Sequence, residues 1–177
     1  MVSLRGDIRN KDFVDKTFKK YQPEIIFHLA AQPLVRKSYA DPISTFNTNV
    51  MGTANILEAL KLINNEVTLL VITTDKVYEN KEQKYGYTEL DSLGGYDPYS
   101  CSKAAVELVV RSYRNLFKTL PNMNNKIKVV TSRSGNVIGG GDFNKNRIIP
   151  DCISFLRSGS CITIRNPNAV RPWLHVL

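Results

Sequence analysis

"VTLLVITT", Val67 to Thr74, is an unbroken apolar and β-branched run. Such a run reads as a strand buried on both faces, the kind a parallel sheet holds. Working outward, "EIIFHLAAQ", Glu24 to Gln32, has the same character and ends in small residues. "KIKVVTSRSGNVIG", Lys126 to Gly139, is a third strand with a glycine-rich exit. Helical patterns lie between and around these runs. Asp12 to Tyr21 puts Phe13, Val14, Thr17, Phe18 and Tyr21 on one face. Asp41-Pro42 opens a helix with Phe46, Val50, Ala54, Leu57 and Leu60 as its stripe, expected to continue to Ile63. Pro98 opens another, expected to run to about Leu120, with Ala105, Leu108, Val109, Tyr113 and Leu116 as its stripe. Proline suits a helix start because its missing N–H would be unpaired there.

Strands alternating with helices of this length predict βαβ units. The fold class expected is α/β: a Rossmann-like, doubly wound parallel sheet with right-handed crossovers and ligands at the carboxyl ends of the strands. The sheet is expected to be incomplete. "VSLRGDIR", within residues 1–9, reads as the end of a strand, yet neither G-x-x-G-x-x-G nor G-x-G-x-x-G occurs anywhere. "GGGD" at Gly139 to Asp142 opens no convincing helix. Two missing βα steps would amount to roughly 60 residues. After Asn144 the pattern loosens to a short helix, Pro150 to Arg157, and a short strand, Ile162 to Arg165; the chain ends at "RPWLHVL" with no finishing element.

Composition narrows the function classes. Hydrophobic residues make up 42% and charged residues 23% of the 177, a globular balance. The net charge of +8 allows an acidic partner, but the basic residues are dispersed, and the densest spots, Lys19-Lys20 and Lys145-Asn146-Arg147, are not polybasic runs. No nucleic-acid or membrane partner is expected. The three cysteines, Cys101, Cys152 and Cys161, form no C-x-x-C pair, and the two histidines, His28 and His175, lie far apart, so neither a disulfide framework nor a metal site is expected. No apolar run approaches the roughly 18 residues of a membrane span, and nothing at the start reads as a signal peptide. A reducing cytoplasm is the expected location.

The chemistry-bearing motif is "YSCSK", Tyr99 to Lys103. Tyrosine and lysine four apart share a helix face, and a nearby ammonium favours a phenolate over a phenol. That spacing alone also fits two polar residues on an exposed first turn. Context adds weight: Thr73-Thr74-Asp75-Lys76, "HLAAQ", "GDIRN" and "SGNVIGGGD" all stand at expected strand ends, on one edge of the sheet.

The order "GDIR", "HLAAQ", "NTNVMGTANILEA", "TTDKVY", "YSCSK", "RSGNVIGGGD", "RPWLHV" resembles the extended short-chain dehydrogenase/reductase family of nucleotide-sugar enzymes along essentially the whole chain. "TTDKVY" and "IRNPNAVRPWLHV" resemble its CDP-glucose 4,6-dehydratase branch. The resemblance implies NAD as cofactor and a dehydration: hydride leaves C4 for NAD, water is lost across C5–C6, and hydride returns to C6. It implies Tyr99 as the base at the 4-hydroxyl, Lys103 as its partner and ribose contact, Thr74 on the reacting oxygen, and Asp75 as the acid at the 6-hydroxyl. Lys76 stands where many such dehydratases carry a glutamate as the C5 base, and its role as a neutral amine is an expectation. Asp7 and Ile8 are implied to flank the adenine. Leu29, Ala30, Ala31, Gln32, Asn49 and Thr73, with Tyr99 and Lys103, are implied to line the cofactor. Asn136, Arg147 and Arg171 are implied to reach the sugar nucleotide, since a guanidinium fork suits a pyrophosphate. Residues 1–142 then form a partial NAD-binding domain and 143–177 the start of a substrate-binding region. A homo-oligomer, dimer or tetramer, and a place in deoxysugar and lipopolysaccharide synthesis are further implications. The competing readings are an epimerase or reductase of the same family, a basic binding protein that has lost the chemistry, and an inactive piece.

Overall fold

The computed structural model describes residues 1–123 and 125–177 and divides into two compact units, Met1–Arg133 and Ser134–Leu177. In the first, α1 (Lys11–Tyr21) leads to β1 (Ile25–His28), α2 (Val35–Ala40), α3 (Pro42–Phe46), a π-helical turn (Asn47–Met51), α4 (Gly52–Ala59) and a 3-10 turn (Leu60–Leu62). β2 (Val67–Thr74) ends in a 3-10 turn (Asp75–Val77), followed by the 22-residue α5 (Pro98–Thr119) and β3 (Ile127–Ser134). The sheet order is β1-β2-β3, with β1 parallel to β2 and Ile25 to His28 in register with Thr68 to Val71. The second unit holds β4 (Asn136–Ile138), α6 (Ile148–Ser158) and β5 (Trp173–His175), with β4 parallel to β5.

The core lies on the sheet face that α4 and α5 cover. Leu57, Leu60, Leu69, Val67, Val71, Val106 and Val110 are fully buried there. Each such side chain contributes about 1.5–3 kcal/mol. The opposite face is open: Ile25, Phe27, Leu29 and Val130 are exposed, at 64%, 65%, 69% and 48%. β2 matches its sequence bounds: five of its eight residues are buried and the other three half-buried, and ladder pairing satisfies the backbone of so enclosed a run.

Four expectations are corrected. The helix expected from Asp41 to Ile63 is interrupted by the π turn, whose extra residue turns Asn49 into the interior at 2% exposure. The following Gly52 is required, since a Cβ there would lie 2.5 Å from Ile8 Cδ1. The third strand splits at Gly135, where a Cβ would lie 2.5 Å from Pro172 Cγ, and its second half pairs with β5 instead. Ile162 to Arg165 forms no strand among the described residues; Arg165 instead donates to the Asn146 carbonyl and side-chain oxygen, while Ile162 and Ile164 stay exposed. Residues 1–9 form no strand either among the described residues, because no neighbouring strand pairs with them.

His28 ends β1 at 6% exposure. The Thr53 hydroxyl donates to the Asn49 carbonyl at 2.6 Å, so the contact of 2.9 Å between His28 Nε2 and Thr53 Oγ1 assigns the proton to Nε2. Burial, helped by the Lys103 charge, lowers the imidazole pKa from 6.5 to about 4. The unfolded chain therefore takes up the proton first as pH falls. The stability from neutral His28 is full above about pH 6.5 and is lost progressively toward about pH 4. Between pH 7 and pH 5, urea unfolding should show wild type losing about 1 kcal/mol or more relative to H28Q. Parallel losses in the two proteins would contradict it.

Candidate active site

The carboxyl ends of β1 and β2 and the first turns of α5 meet at one place. α5 is started firmly: Asp97 Oδ1 accepts from Ser100 N at 2.9 Å, its Oδ2 accepts from Ser100 Oγ at 2.6 Å, and Pro98 occupies the first turn. Tyr99 is held through its backbone, its N–H donating to the buried Ser38 Oγ at 3.1 Å and its carbonyl accepting from Ser102 Oγ at 2.7 Å. One turn on, Lys103 is only 8% exposed, and its ammonium donates to the Ile72 carbonyl at 2.9 Å. Burial brings its pKa down from 10.5 to about 8. The structure thus sets the Tyr99–Lys103 face of α5 on the last residues of β2.

β2 delivers Thr73 and Thr74, both buried, and then turns. Thr74 Oγ1 caps that turn, accepting from Lys76 N at 3.4 Å and donating to Asp75 Oδ1 at 3.1 Å. Asp75 and Lys76 remain half-buried. Thr74, Asp75, Lys76, Tyr99 and Lys103 therefore sit on two adjoining elements. After β1, Leu29 and Ala30 are exposed and Ala31 is half-buried. Gln32 and Asn49 are brought together and are fully engaged with each other and their surroundings. Asn49 Oδ1 accepts from Gln32 N at 2.7 Å, and its Nδ2 donates to Gln32 O and Ser102 Oγ. Gln32 bonds Leu34 and Thr45 Oγ1. These two side chains shape the loop rather than present free groups.

Asp7 is exposed and paired bidentately with Arg9, whose guanidinium lowers the carboxyl to about 2; the Ile8 carbonyl accepts from Asn55 Nδ2. In the second unit Asn136 pairs in register with Trp173. Arg147 bonds Asp142, and Arg171 donates to the Val170 carbonyl. Sequence reasoning missed Glu107, buried at 8% one turn beyond Lys103, and Arg133, its partner at 3.2 Å. The signal was present: a carboxylate on the buried face of α5, and an arginine near the end of the third strand.

The residues fit the nicotinamide-ribose end of a dinucleotide. A buried ammonium and a tyrosine lie on one helix face, beside a strand exit whose alanines leave the backbone open.

Residues 1–177 match the family model described as GDP-mannose 4,6 dehydratase. The chain is 47% identical over its whole length to CDP-glucose 4,6-dehydratase of Salmonella typhimurium, covering 50% of that protein. It is 35% identical over 79% of its length to CDP-paratose 2-epimerase of Salmonella typhi, covering 44% of it. Among solved structures, dTDP-glucose 4,6-dehydratase of Bacillus anthracis in complex with NAD matches 98% of the chain at a TM-score of 0.79 and 26% identity, over 50% of that protein. The Streptomyces venezuelae dTDP-glucose 4,6-dehydratase, solved with NAD bound, matches at 0.82 and 26%, covering 96% of this chain and 49% of its own. The chain thus spans about half the length of the relatives it matches.

Lys103 gives a direct test of the site's electrostatics. Carbon-13 labelling of lysine side chains should reveal one residue titrating near pH 8, absent in K103M. A Lys103 midpoint near 10.5 would contradict the burial argument.

Proposed function

The chain belongs to the GDP-mannose 4,6 dehydratase family, and from that premise we propose that the protein carrying it dehydrates CDP-glucose to CDP-4-keto-6-deoxyglucose. The observation that supports this most is the placing of Thr74, Asp75 and Lys76, at the end of β2 and in the turn after it, beside the helix α5 that carries Tyr99 and Lys103, in a chain 47% identical to a CDP-glucose 4,6-dehydratase. NAD, when bound, supplies the hydride acceptor for C4 and the donor for C6, so the reaction releases one water with no net redox change. Tyr99 accepts the 4-hydroxyl proton. Lys103, charged below about pH 8, favours the phenolate. Thr74 positions the reacting oxygen. The C4 ketone acidifies C5–H; Lys76 takes that proton and Asp75 protonates the departing 6-hydroxyl, and Lys76 returns its proton to C5 when C6 is reduced.

Leu29, Ala30, Ala31 and Thr73 line the cofactor in this reading, with Asp7 and Ile8 toward the adenine and Gln32 and Asn49 holding the loop. Asn136, Arg147 and Arg171 bind the nucleotide sugar. Residues 1–142 serve the cofactor and 143–177 open the substrate region. A homo-oligomeric cytoplasmic enzyme of deoxysugar synthesis, feeding lipopolysaccharide, follows from the same reading. No helix of the described residues is long and apolar enough to cross a membrane.

The 35% identity to a CDP-paratose 2-epimerase favours one alternative, epimerisation of a nucleotide sugar. Product analysis separates the two. With CDP-glucose the expected product is a 4-keto-6-deoxy sugar, and an epimer without loss of water would overturn the proposal. Y99F should lower kcat by about 10²–10⁴. K76A should still reduce bound NAD with substrate yet release no dehydrated product; full turnover in K76A would remove Lys76 from its role.

A further inference from the structure

Glu107 and Arg133 take no part in the reaction proposed above, yet they are the most deeply buried of the first unit's ion pairs among the described residues, with side chains 6% and 16% exposed. Glu107 Oε1 accepts from Thr73 Oγ1 at 2.6 Å and from Arg133 Nε at 3.2 Å. Its Oε2 accepts from Thr131 Oγ1 at 3.0 Å and Arg133 Nη2 at 3.2 Å. The carboxylate therefore joins α5, β2 and β3. The Arg133 guanidinium lies 5.0 Å from the centre of the Tyr78 ring, which stacks on Tyr87 at 5.0 Å and 14°. Tyr78 in turn bridges to Leu93, with Gly94 N donating to Val77 O and Glu79 N to Ser92 O.

Thr73 and Tyr78 bracket the segment Thr74–Val77. Glu107 holds the residue before it and Arg133 the ring after it. The same helix carries Tyr99, Lys103 and Glu107 at intervals of four, so all three share one face. The pair also carries a cost: Arg133 Nη1 is buried without a hydrogen-bond partner. We propose that Glu107 and Arg133 are positioning residues that fix the Thr74–Asp75–Lys76 turn relative to Tyr99 and Lys103, a role that rests on the dehydratase reading for its effect on turnover. Neither touches the reacting atoms; they act through Thr73 and Tyr78.

The test uses the full-length protein and its E107Q, R133M and Y78L variants, with two readouts. Amide hydrogen exchange over residues 73–79 should rise tenfold or more in each variant, with the α1 peptide (11–21) unchanged. For the nucleotide hexose that wild type turns over, kcat per folded molecule should fall tenfold or more with KM within about twofold, whereas general destabilisation lowers only the folded fraction. R133K keeps the charge but loses the fork, and should shift both readouts in the same direction as R133M. Folded variants with unchanged exchange over 73–79, or with faster exchange and unaltered kcat, would overturn the proposal. If E107Q does not fold, Y78L, which removes the ring under the guanidinium together with its stacking on Tyr87, decides the matter against a Y87L control that removes the stacking alone. A wild-type protein that turns over no nucleotide hexose refutes the dehydratase reading, and exchange alone then judges the anchoring.

Discussion

A lysine ammonium buried on a backbone carbonyl is the contact on which the rest of the site depends. Lys103 reaches from α5 to the Ile72 carbonyl at the end of β2. Taking an ammonium out of water is costly, and burial shows it in the lowered pKa. The arrangement is therefore one that the surrounding packing enforces. That packing is the layer of Val106, Val110, Leu69 and Val71 directly behind it, all essentially without solvent contact. The apolar layer sets how close α5 lies to the sheet, and closeness is what lets the lysine reach the strand.

Toward the carboxyl ends of the strands the interior changes character. Asn49, Thr45, Ser38 and Ser102 are as buried as the leucines, but they hydrogen-bond backbone, Asn49 that of the loop after β1, Thr45 the Asp41 carbonyl, and Ser38 and Ser102 carbonyls of their own helices. Buried polar groups of this kind are tolerated only when satisfied, and once satisfied they admit one geometry. Parallel sheets bind ligands at this edge, where strand ends splay and loops must be fixed without a covering strand. The π turn belongs to the same logic. It turns one asparagine inward at the point where the loop after β1 needs an acceptor and a donor, and where α5 presents the Ser102 hydroxyl to the remaining donor.

The framework was legible in the sequence because it rests on long periodic signals. β2 runs without interruption, and α5 has a proline start and a sustained stripe, so both were read nearly to the residue. Tyr99, Lys103 and the Thr74–Lys76 turn were legible from spacing and position. Features that depend on partners far along the chain were not. The π turn breaks no apolar pattern, since Val50 and Leu57 still face inward. β5 is three residues that become a strand only because Gly135 lets Pro172 approach. Ile162 to Arg165 has strand composition, but composition supplies no ladder partner. Glu107 was hidden for a related reason. Its stripe reads as apolar helix, and a single carboxylate there announces itself only once Thr73, Thr131 and Arg133 are seen around it.

A dehydration of the kind proposed needs groups at three adjacent carbons of one sugar, C4, C5 and C6, and that reading draws them from different elements. Tyr99 belongs to a helix; Asp75 and Lys76 belong to a strand-end turn. Neither element alone fixes the distance between those groups. Two ties cross the gap, Lys103 to Ile72 and Glu107 to Thr73. A displacement of 1 Å at reacting groups can cost about a hundredfold in rate. Side-chain hydrogen bonds of fixed length therefore suit the task better than apolar contacts, which tolerate sliding. The apolar layer brings helix and sheet together, and the polar layer sets their register. The chemistry depends on the second, which explains why so much hydrogen-bonding capacity is buried within one turn of residues that themselves remain half-open.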